Sequence, residues 1–92
     1  MKNNYKTKIF ISASKHWGQT KQMIAAAEEF SEASAALLRV VNEKVESFHE
    51  VIEELADAEI MCEQMRYYFS EVEIDRVKKM KLEKLAEKLG VK

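Results

Sequence analysis

Hydrophobic residues recur every three or four positions along most of this chain, and their spacing predicts three helices. The repeat extends over about residues 18–41, 45–69 and 71–89, with short polar interruptions between them. A period of this length is that of an amphipathic α-helix. Residues 1–15 show no such period and are rich in Lys, Asn, Ser and Thr. We therefore expect a loosely ordered N-terminal segment over 1–15 and a helical domain over 16–92.

Local sequence signals and composition both favour an all-α fold. Ser70 is followed three residues later by Glu73, which is the capping-box pattern of a helix start, and Gly90 stands where the third helix should end. The chain has no proline and only two glycines, too few turn-forming residues for a strand-rich fold. Its 92 residues allow one small domain.

The first two predicted helices each carry two apolar stripes, a main seam and a second stripe. On the first helix the seam contains Met23, Ala27, Phe30, Leu37, Leu38 and Val41, and the second stripe contains Ala26, Ala33, Ala36 and Val40. On the second helix the seam contains Phe48, Ile52, Leu55, Ala56, Cys62 and Phe69, and the second stripe contains Val51, Ala58, Met61, Met65 and Tyr68. Because two apolar faces need two covers, the pattern predicts an oligomeric helical bundle, a dimer or a tetramer. A monomer with a thicker core is the alternative.

Acidic residues lie inside both second stripes. Glu29 falls among the alanines of the first helix and Glu54 among the apolar residues of the second, and Glu32 and Asp57 follow them at i+3, on the same face. No Lys or Arg lies within four positions of any of these acids. Since hard divalent cations prefer carboxylate oxygens, the pattern predicts a site for Mg²⁺ or Mn²⁺. A solvated acidic face, or a cluster neutralised by a lysine of the third helix or of a partner chain, is the alternative.

The acids form two motifs in a fixed order, EExxE and then ExxD after twenty-one intervening residues, and their members are Glu28, Glu29, Glu32, Glu54 and Asp57. Upstream stand Trp17-Gly18 and Gln22. This arrangement resembles the MazG-like, all-α nucleoside triphosphate pyrophosphohydrolases, a superfamily that includes the dimeric dUTPases, and most closely its short phage or prophage members. The resemblance covers about residues 17–90.

The resemblance implies Mg²⁺-dependent hydrolysis of a nucleoside triphosphate to the monophosphate and pyrophosphate, through metal-activated attack of water. In such families the second and third acids of EExxE and both acids of ExxD hold the metal, which here are Glu29, Glu32, Glu54 and Asp57. Glu28 becomes the candidate catalytic base. Lys81 matches the basic residue of the family's last helix, although Lys79 stands where some relatives have an asparagine.

Further substrate contacts follow from residue chemistry. Lys78 and Lys84 lie near Lys81 on the third helix and offer positive charge to phosphates, with a solvated lysine face as the alternative. Trp17 offers a stacking surface for a nucleobase and Gln22 a hydrogen-bonding amide, although a tryptophan at a helix start also serves as a core residue.

Charge and cysteine content limit the kinds of partner and the cellular location that the sequence predicts. The net charge is −1, with eleven acids against two bases between Glu28 and Glu63, so the chain lacks the dominant basic face of a nucleic-acid binder. The early apolar run is only three residues long, too short for a signal peptide or a membrane span. Together with a single cysteine, this predicts a cytoplasmic protein. The rival to the enzyme is a non-catalytic helical module for self-assembly or protein interaction.

Overall fold

The computed structural model describes residues 2–43 and 48–92, and these form four helices with no strand among them. Their bounds are α1, Lys2–Trp17, α2, Gln19–Glu43, α3, His49–Phe69, and α4, Glu71–Leu89. The all-α prediction is therefore confirmed, whereas the prediction of three helices is one too few. Residues 44–47, which include the predicted start of the second helix at residue 45, lie outside the described residues.

An antiparallel pair, α2 and α3, forms the centre of the structure. Arg39 contacts Glu50 near the connection between the two helices, and Glu29 lies opposite Glu54 farther along. Ala26, Ala33 and Ala36 of α2 are buried apolar residues. Because alanine adds only a methyl group to the helix surface, α2 approaches α3 closely along this line, and the acids of the second stripes lie in the same interface.

The stripe that α2 buries is the second one, and the more apolar seams are left uncovered. Every large apolar residue of the α2 seam is exposed in the protomer, as is every residue of the α3 seam, Cys62 included. The buried apolar residues of α2 are thus small, whereas large apolar residues, such as Phe30 of α2 and Phe69 of α3, remain exposed.

The additional helix, α1, covers residues that the sequence predicts to be loosely ordered. Phe10 is only 7% exposed and packs edge-to-face on Tyr67 of α3, with ring centroids 5.8 Å apart. The same two helices are joined by an ion pair between Lys6 and Glu63 and by a hydrogen bond between the hydroxyls of Ser14 and Tyr68. These contacts span more than fifty positions of sequence, so the periodicity of residues 1–15 alone does not reveal them.

The bounds of α4 agree with the prediction. The Ser70 hydroxyl accepts a hydrogen bond from the backbone N–H of Glu73 at 3.2 Å, and Gly90 ends the helix with a left-handed φ of 72°. Arg66 of α3 contacts both Glu71 and Asp75 and so holds the start of α4 against α3. Beyond this junction α4 extends without burying a single residue.

Among the described residues, no helix has the combination of length and apolar character that crossing a membrane requires.

Candidate metal centre

A cluster of carboxylates lies between α2 and α3. One oxygen from each of Glu29, Glu54 and Asp57 lies within 4.8 Å of the other two. Helix geometry explains the grouping, because Glu54 and Asp57 are one turn apart on α3 and the antiparallel pairing places Glu29 of α2 opposite them. The three residues belong to the two acidic motifs found in the sequence.

Glu32 joins this cluster from the next turn of α2. Its carboxyl group lies within hydrogen-bonding reach of both Glu29 and Glu54, although Glu32 itself is exposed. The structure therefore brings together all four acids that the resemblance assigns to the metal. We call Glu29, Glu32, Glu54 and Asp57 the carboxylate cluster.

Within the part of the chain that the structure describes, two oxygens of the carboxylate cluster have no hydrogen-bond partner. The Oε2 atoms of Glu29 and Glu54 are buried and accept no hydrogen bond. A buried polar atom without a partner is unfavourable by about 1–3 kcal/mol. The cluster as it stands is therefore short of positive charge or of donors.

The local environment disfavours the charged forms of these groups. Burial raises the pKa of the Glu29 carboxyl above its ordinary value, and the nearby carboxylates of Glu32 and Asp57 raise it further. The pKa of Glu54 is raised for the same reasons, first by burial and then by Glu32 and Glu29. Burial and the neighbouring carboxylates both penalise the charged forms of Glu29 and Glu54.

The basic side chains that form ion pairs in the described part of the chain pair with acids outside the carboxylate cluster. Arg39 contacts Glu50 and His49 contacts Glu53, while the remaining ion pairs join Lys6, Arg66 and Arg76 to acids outside the cluster. Within residues 2–43 and 48–92, no ion pair involves a member of the carboxylate cluster. Arg39, whose ion pair is with Glu50, is a basic residue that interacts electrostatically with Glu54 without forming an ion pair with it.

The donor set suits a small, hard divalent cation. Mg²⁺ takes oxygen ligands at roughly 2.1 Å, so two ligands of one ion lie at most about 4.2 Å apart. The 4.8 Å limit of the cluster oxygens exceeds this by an amount that small side-chain rotations can remove. Unpartnered oxygens on Glu29 and Glu54 supply lone pairs for such an ion, so the residues fit Mg²⁺ or Mn²⁺.

Glu28 lies beside the carboxylate cluster on an open surface. It lines a shallow depression on α2 together with Ile24, Ala27, Ser31 and Glu32. Glu32 therefore lies within reach of Glu29 and Glu54 and also borders this depression. A solute that approaches the cluster from this side meets Glu28 and Glu32 first.

The expected substrate contacts are not gathered around the cluster in the protomer. Gln22 is buried, so its amide does not face the surface. Trp17 ends α1 on an open face, where its ring packs edge-to-face with His16 at 4.8 Å. The lysines of α4, namely Lys78, Lys81 and Lys84, are exposed on a helix whose main contacts are with α3.

The structure also contains a pocket that the sequence patterns do not indicate. It has a volume of about 520 Å³ and lies between α1 and α3, with walls formed by Thr7, Phe10, Ile11, Ser14, Lys15, Gln19, Tyr67 and Tyr68. Gln64, which is only 2% exposed, donates a hydrogen bond to the hydroxyl of the lining residue Tyr68 at 3.0 Å. The pocket depends on α1 being helical, which the period of residues 1–15 does not predict.

No family model, no curated protein and no solved structure matches this chain. The described residues form an all-α fold in which two antiparallel helices hold a group of carboxylates between them. These carboxylates form no ion pair with a described basic residue.

Proposed function

We propose that this chain is a Mg²⁺-dependent nucleoside triphosphate pyrophosphohydrolase of the MazG-like kind. The observation that carries the proposal is the carboxylate cluster, whose four members were singled out by spacing and lie together in the fold with two buried, unpartnered oxygens. Metal-dependent phosphoanhydride hydrolysis is the chemistry that the resemblance assigns to these same residues.

Glu29, Glu32, Glu54 and Asp57 would hold the metal, with Mn²⁺ as a possible substitute for Mg²⁺. When bound there, the cation would supply positive charge that offsets the protein carboxylates and the substrate phosphates and would act as a Lewis acid toward the phosphoryl group. The need for it is electrostatic, because a triphosphate carries about four negative charges and is repelled by a bare carboxylate cluster. We therefore expect substrate binding to require the metal.

The chain's own residues then position and activate water. Water attacks the α-phosphorus, the bond between that phosphorus and the bridging oxygen breaks, and pyrophosphate leaves with the bond electrons. Glu28 accepts the proton that water loses, a role for which its place at the open edge of the cluster is suitable. The products are a nucleoside monophosphate and pyrophosphate.

The charged and aromatic groups outside the cluster are proposed as substrate contacts. Lys81, with Lys78 and Lys84 on the same helix, offers positive charge for the phosphates, and Trp17 presents an exposed ring for stacking on a base. Since α4 packs chiefly on α3 in the described protomer, these lysines would reach a substrate at the cluster when α4 lies against it in an assembly.

A panel of ribo- and deoxyribonucleoside triphosphates with Mg²⁺ tests the proposal, with pyrophosphate and orthophosphate measured separately. We expect pyrophosphate release that EDTA abolishes and that Glu54→Gln or Asp57→Asn reduces to background. Glu59→Gln is the matched control, because Glu59 is an exposed acid of α3 outside the cluster. Release of orthophosphate alone, or full activity of Glu54→Gln, would contradict the proposal.

The second candidate is a non-catalytic assembly module, which the exposed apolar seams favour. The two functions differ in their response to metal. A metal centre predicts that Mg²⁺ or Mn²⁺ raises the unfolding temperature relative to EDTA, since a ligand that binds only the folded state stabilises it. An assembly module predicts no such shift. Metal binding without turnover would indicate an inactive relative that keeps the site.

A further inference from the structure

The pocket between α1 and α3 has the size and the lining of a small-molecule site. Its volume is about 520 Å³, within the range of roughly 300–1,000 Å³ that such sites occupy in proteins. Three of its lining residues are aromatic, Phe10, Tyr67 and Tyr68. Ligand sites combine an apolar wall of this kind with a few polar groups that orient the ligand, and both parts are present here.

Contacts between the two helices hold the aromatic wall in place. Phe10 is buried, and its ring packs edge-to-face on Tyr67. The hydroxyl of Tyr67 is hydrogen-bonded to that of Thr7 at 2.8 Å, and the hydroxyl of Tyr68 to that of Ser14. The rings are thereby fixed at their polar ends. A planar aromatic molecule suits such a wall, because aromatic rings attract one another in edge-to-face and offset-stacked arrangements.

The hydroxyl pairs in this wall also offer hydrogen-bond donors. Two hydroxyls carry two hydrogens, and the bond between them uses one, so each pair retains a hydrogen that it does not use itself. At the pair formed by Ser14 and Tyr68, the buried amide of Gln64 supplies a further hydrogen to the Tyr68 oxygen. The wall therefore provides hydroxyl hydrogens to a ligand that accepts hydrogen bonds.

The charge of the lining is positive and is placed at one end of the pocket. Among the described residues that line it, Lys15 is basic and none is acidic. Lys15 lies in the last turn of α1, next to Ser14 and close to Gln19 at the start of α2. It belongs to none of the ion pairs of the described residues, and residues 1–27 contain five lysines and no acid. One ammonium group matches the single charge of a carboxylate better than the charge of about −2 on a phosphate monoester.

We propose that this pocket binds a small aromatic carboxylate. The ring system of the ligand packs on Phe10, Tyr67 and Tyr68, and its carboxylate accepts hydrogen bonds from the ammonium of Lys15 and the hydroxyl of Ser14. The aromatic wall supplies apolar contact, and the lysine orients the charged end.

This site is separate from the carboxylate cluster and does not depend on the proposed catalytic function. Tyr67 follows Asp57 by ten positions on α3, which is about 15 Å along the helix. One wall of the pocket is α1, and this helix precedes nearly all of the residues 17–90 that carry the family resemblance. Binding should therefore be the same in EDTA as in Mg²⁺.

The test is calorimetric titration of the full-length chain, in EDTA, with 1-naphthoate and with 1-naphthamide, a neutral molecule of nearly the same shape. We expect one naphthoate per chain with a dissociation constant below about 1 mM. Naphthamide should bind about fivefold more weakly, which is the upper range for an ion pair that remains partly exposed. Adenosine monophosphate, which joins an aromatic base to a phosphate, should bind less tightly than naphthoate.

Two variants with matched controls on the same helix locate the binding. Lys15→Gln should weaken naphthoate about fivefold and leave naphthamide unchanged, whereas Lys8→Gln should alter neither, because Lys8 is exposed and lines a different depression. Ile11→Glu places an acid in the wall and should weaken naphthoate more than naphthamide. Ile9→Glu is its control, since Ile9 is similarly exposed and lies outside the pocket. All four positions are exposed, so helical circular dichroism should be unchanged in each variant.

Several results would overturn the proposal. Equal affinity for naphthoate and naphthamide would show that no anion is recognised. Binding that Lys15→Gln and Ile11→Glu leave as tight as their controls do would place the ligand on the exposed apolar seams instead of in the pocket. Absence of saturable binding up to about 5 mM would exclude the site. Adenosine monophosphate that binds more tightly than naphthoate, and that Lys15→Gln releases, would replace the carboxylate by a phosphate.

Discussion

The substitution Glu29→Gln should change stability in opposite directions with and without metal. Glu29 is half-buried between α2 and α3, its Oε2 atom has no hydrogen-bond partner, and carboxylates of Glu54 and Asp57 lie within 4.8 Å. Glutamine keeps the shape of the side chain and removes its charge. Its amide N–H group can also donate a hydrogen bond to a neighbouring carboxylate. In the absence of a cation, the change therefore replaces the repulsion between position 29 and the neighbouring carboxylates by an attractive interaction.

The size of the gain follows from the cluster geometry. Two unit charges 4.8 Å apart repel by about 0.9 kcal/mol in the dielectric of water, and by more where water is partly excluded. Relief of repulsion from Glu54 and Asp57 therefore gives about 1–2 kcal/mol at pH 8. For a domain of this length, each kcal/mol raises the unfolding temperature by roughly 4–8 °C. A shift of this size is well above the error of a melting curve.

Metal reverses the order of stability. If Mg²⁺ is present at one hundred times its dissociation constant, it stabilises the wild-type protein by about 2.7 kcal/mol. Glu29→Gln removes one charged ligand and loses most of that gain, so the variant should melt above the wild type in EDTA and below it in Mg²⁺. Glu59→Gln, which removes an exposed acid from α3, should change little in either buffer.

The assay is thermal unfolding followed by circular dichroism, at one fixed protein concentration because self-association makes melting temperatures concentration-dependent. If Glu29→Gln were less stable than the wild type in EDTA, the cluster would not be a site of uncompensated repulsion. If Mg²⁺ stabilised the variant as much as the wild type, Glu29 would not be a ligand. The two outcomes test the electrostatics and the metal assignment separately.

The same repulsion predicts how metal-free stability depends on pH. The folded-state pKa values of Glu29 and Glu54 are raised above 4.5, chiefly by burial, so folding favours their protonated forms. Their stabilising contribution is complete below pH 4.5 and is lost as the pH rises through the raised values. The wild type in EDTA should therefore lose stability through that window, and Glu29→Gln should show a shallower decline.

Three other predictions concern the fold and the reaction. Phe10→Ala should destabilise the protein by about 3 kcal/mol in denaturant titrations, because it removes the buried ring that holds α1, whereas Tyr5→Ala, at an exposed position of the same helix, should have little effect. Ser70→Ala should cost about 1 kcal/mol through loss of the α4 cap. Ser70→Gly should cost less in the same titration, since the φ of 130° at this position suits glycine. Glu54→Gln should retain wild-type helical content while losing pyrophosphate release. A folded Glu54→Gln that turns over normally would remove Glu54 from the site.

Local sequence signals predicted the elements whose causes are local. The bounds of α4 depend on a serine cap, a glutamate three residues later and a terminal glycine, all within the helix or next to it. The carboxylate cluster was predictable for a similar reason, since i, i+3 spacing fixes which acids share a helix face, and a short connection makes neighbouring helices antiparallel. Residue spacing and chain connectivity together brought Glu29 opposite Glu54 and Asp57.

Features that depend on distant contacts were not predictable in this way. The helical state of α1 is supported by Phe10 packing on Tyr67 and by Lys6 pairing with Glu63, and no pattern within residues 1–15 encodes those partners. Which of two apolar stripes is buried was also undetermined, because periodicity finds stripes but does not rank them. In the structure the small alanines lie inside, since they let α2 and α3 approach closely enough for the acids to meet.

The most informative positions in this chain are charged residues within apolar stripes. Glu29 and Glu54 interrupt the second stripes of α2 and α3. Burial of a charge is unfavourable unless an opposite charge accompanies it, so each interruption requires a partner. For the acids, the folded protomer gathers the charges without neutralising them. A bound cation would supply the opposite charge that these acids require, because the ion pairs among the described residues all lie outside the cluster.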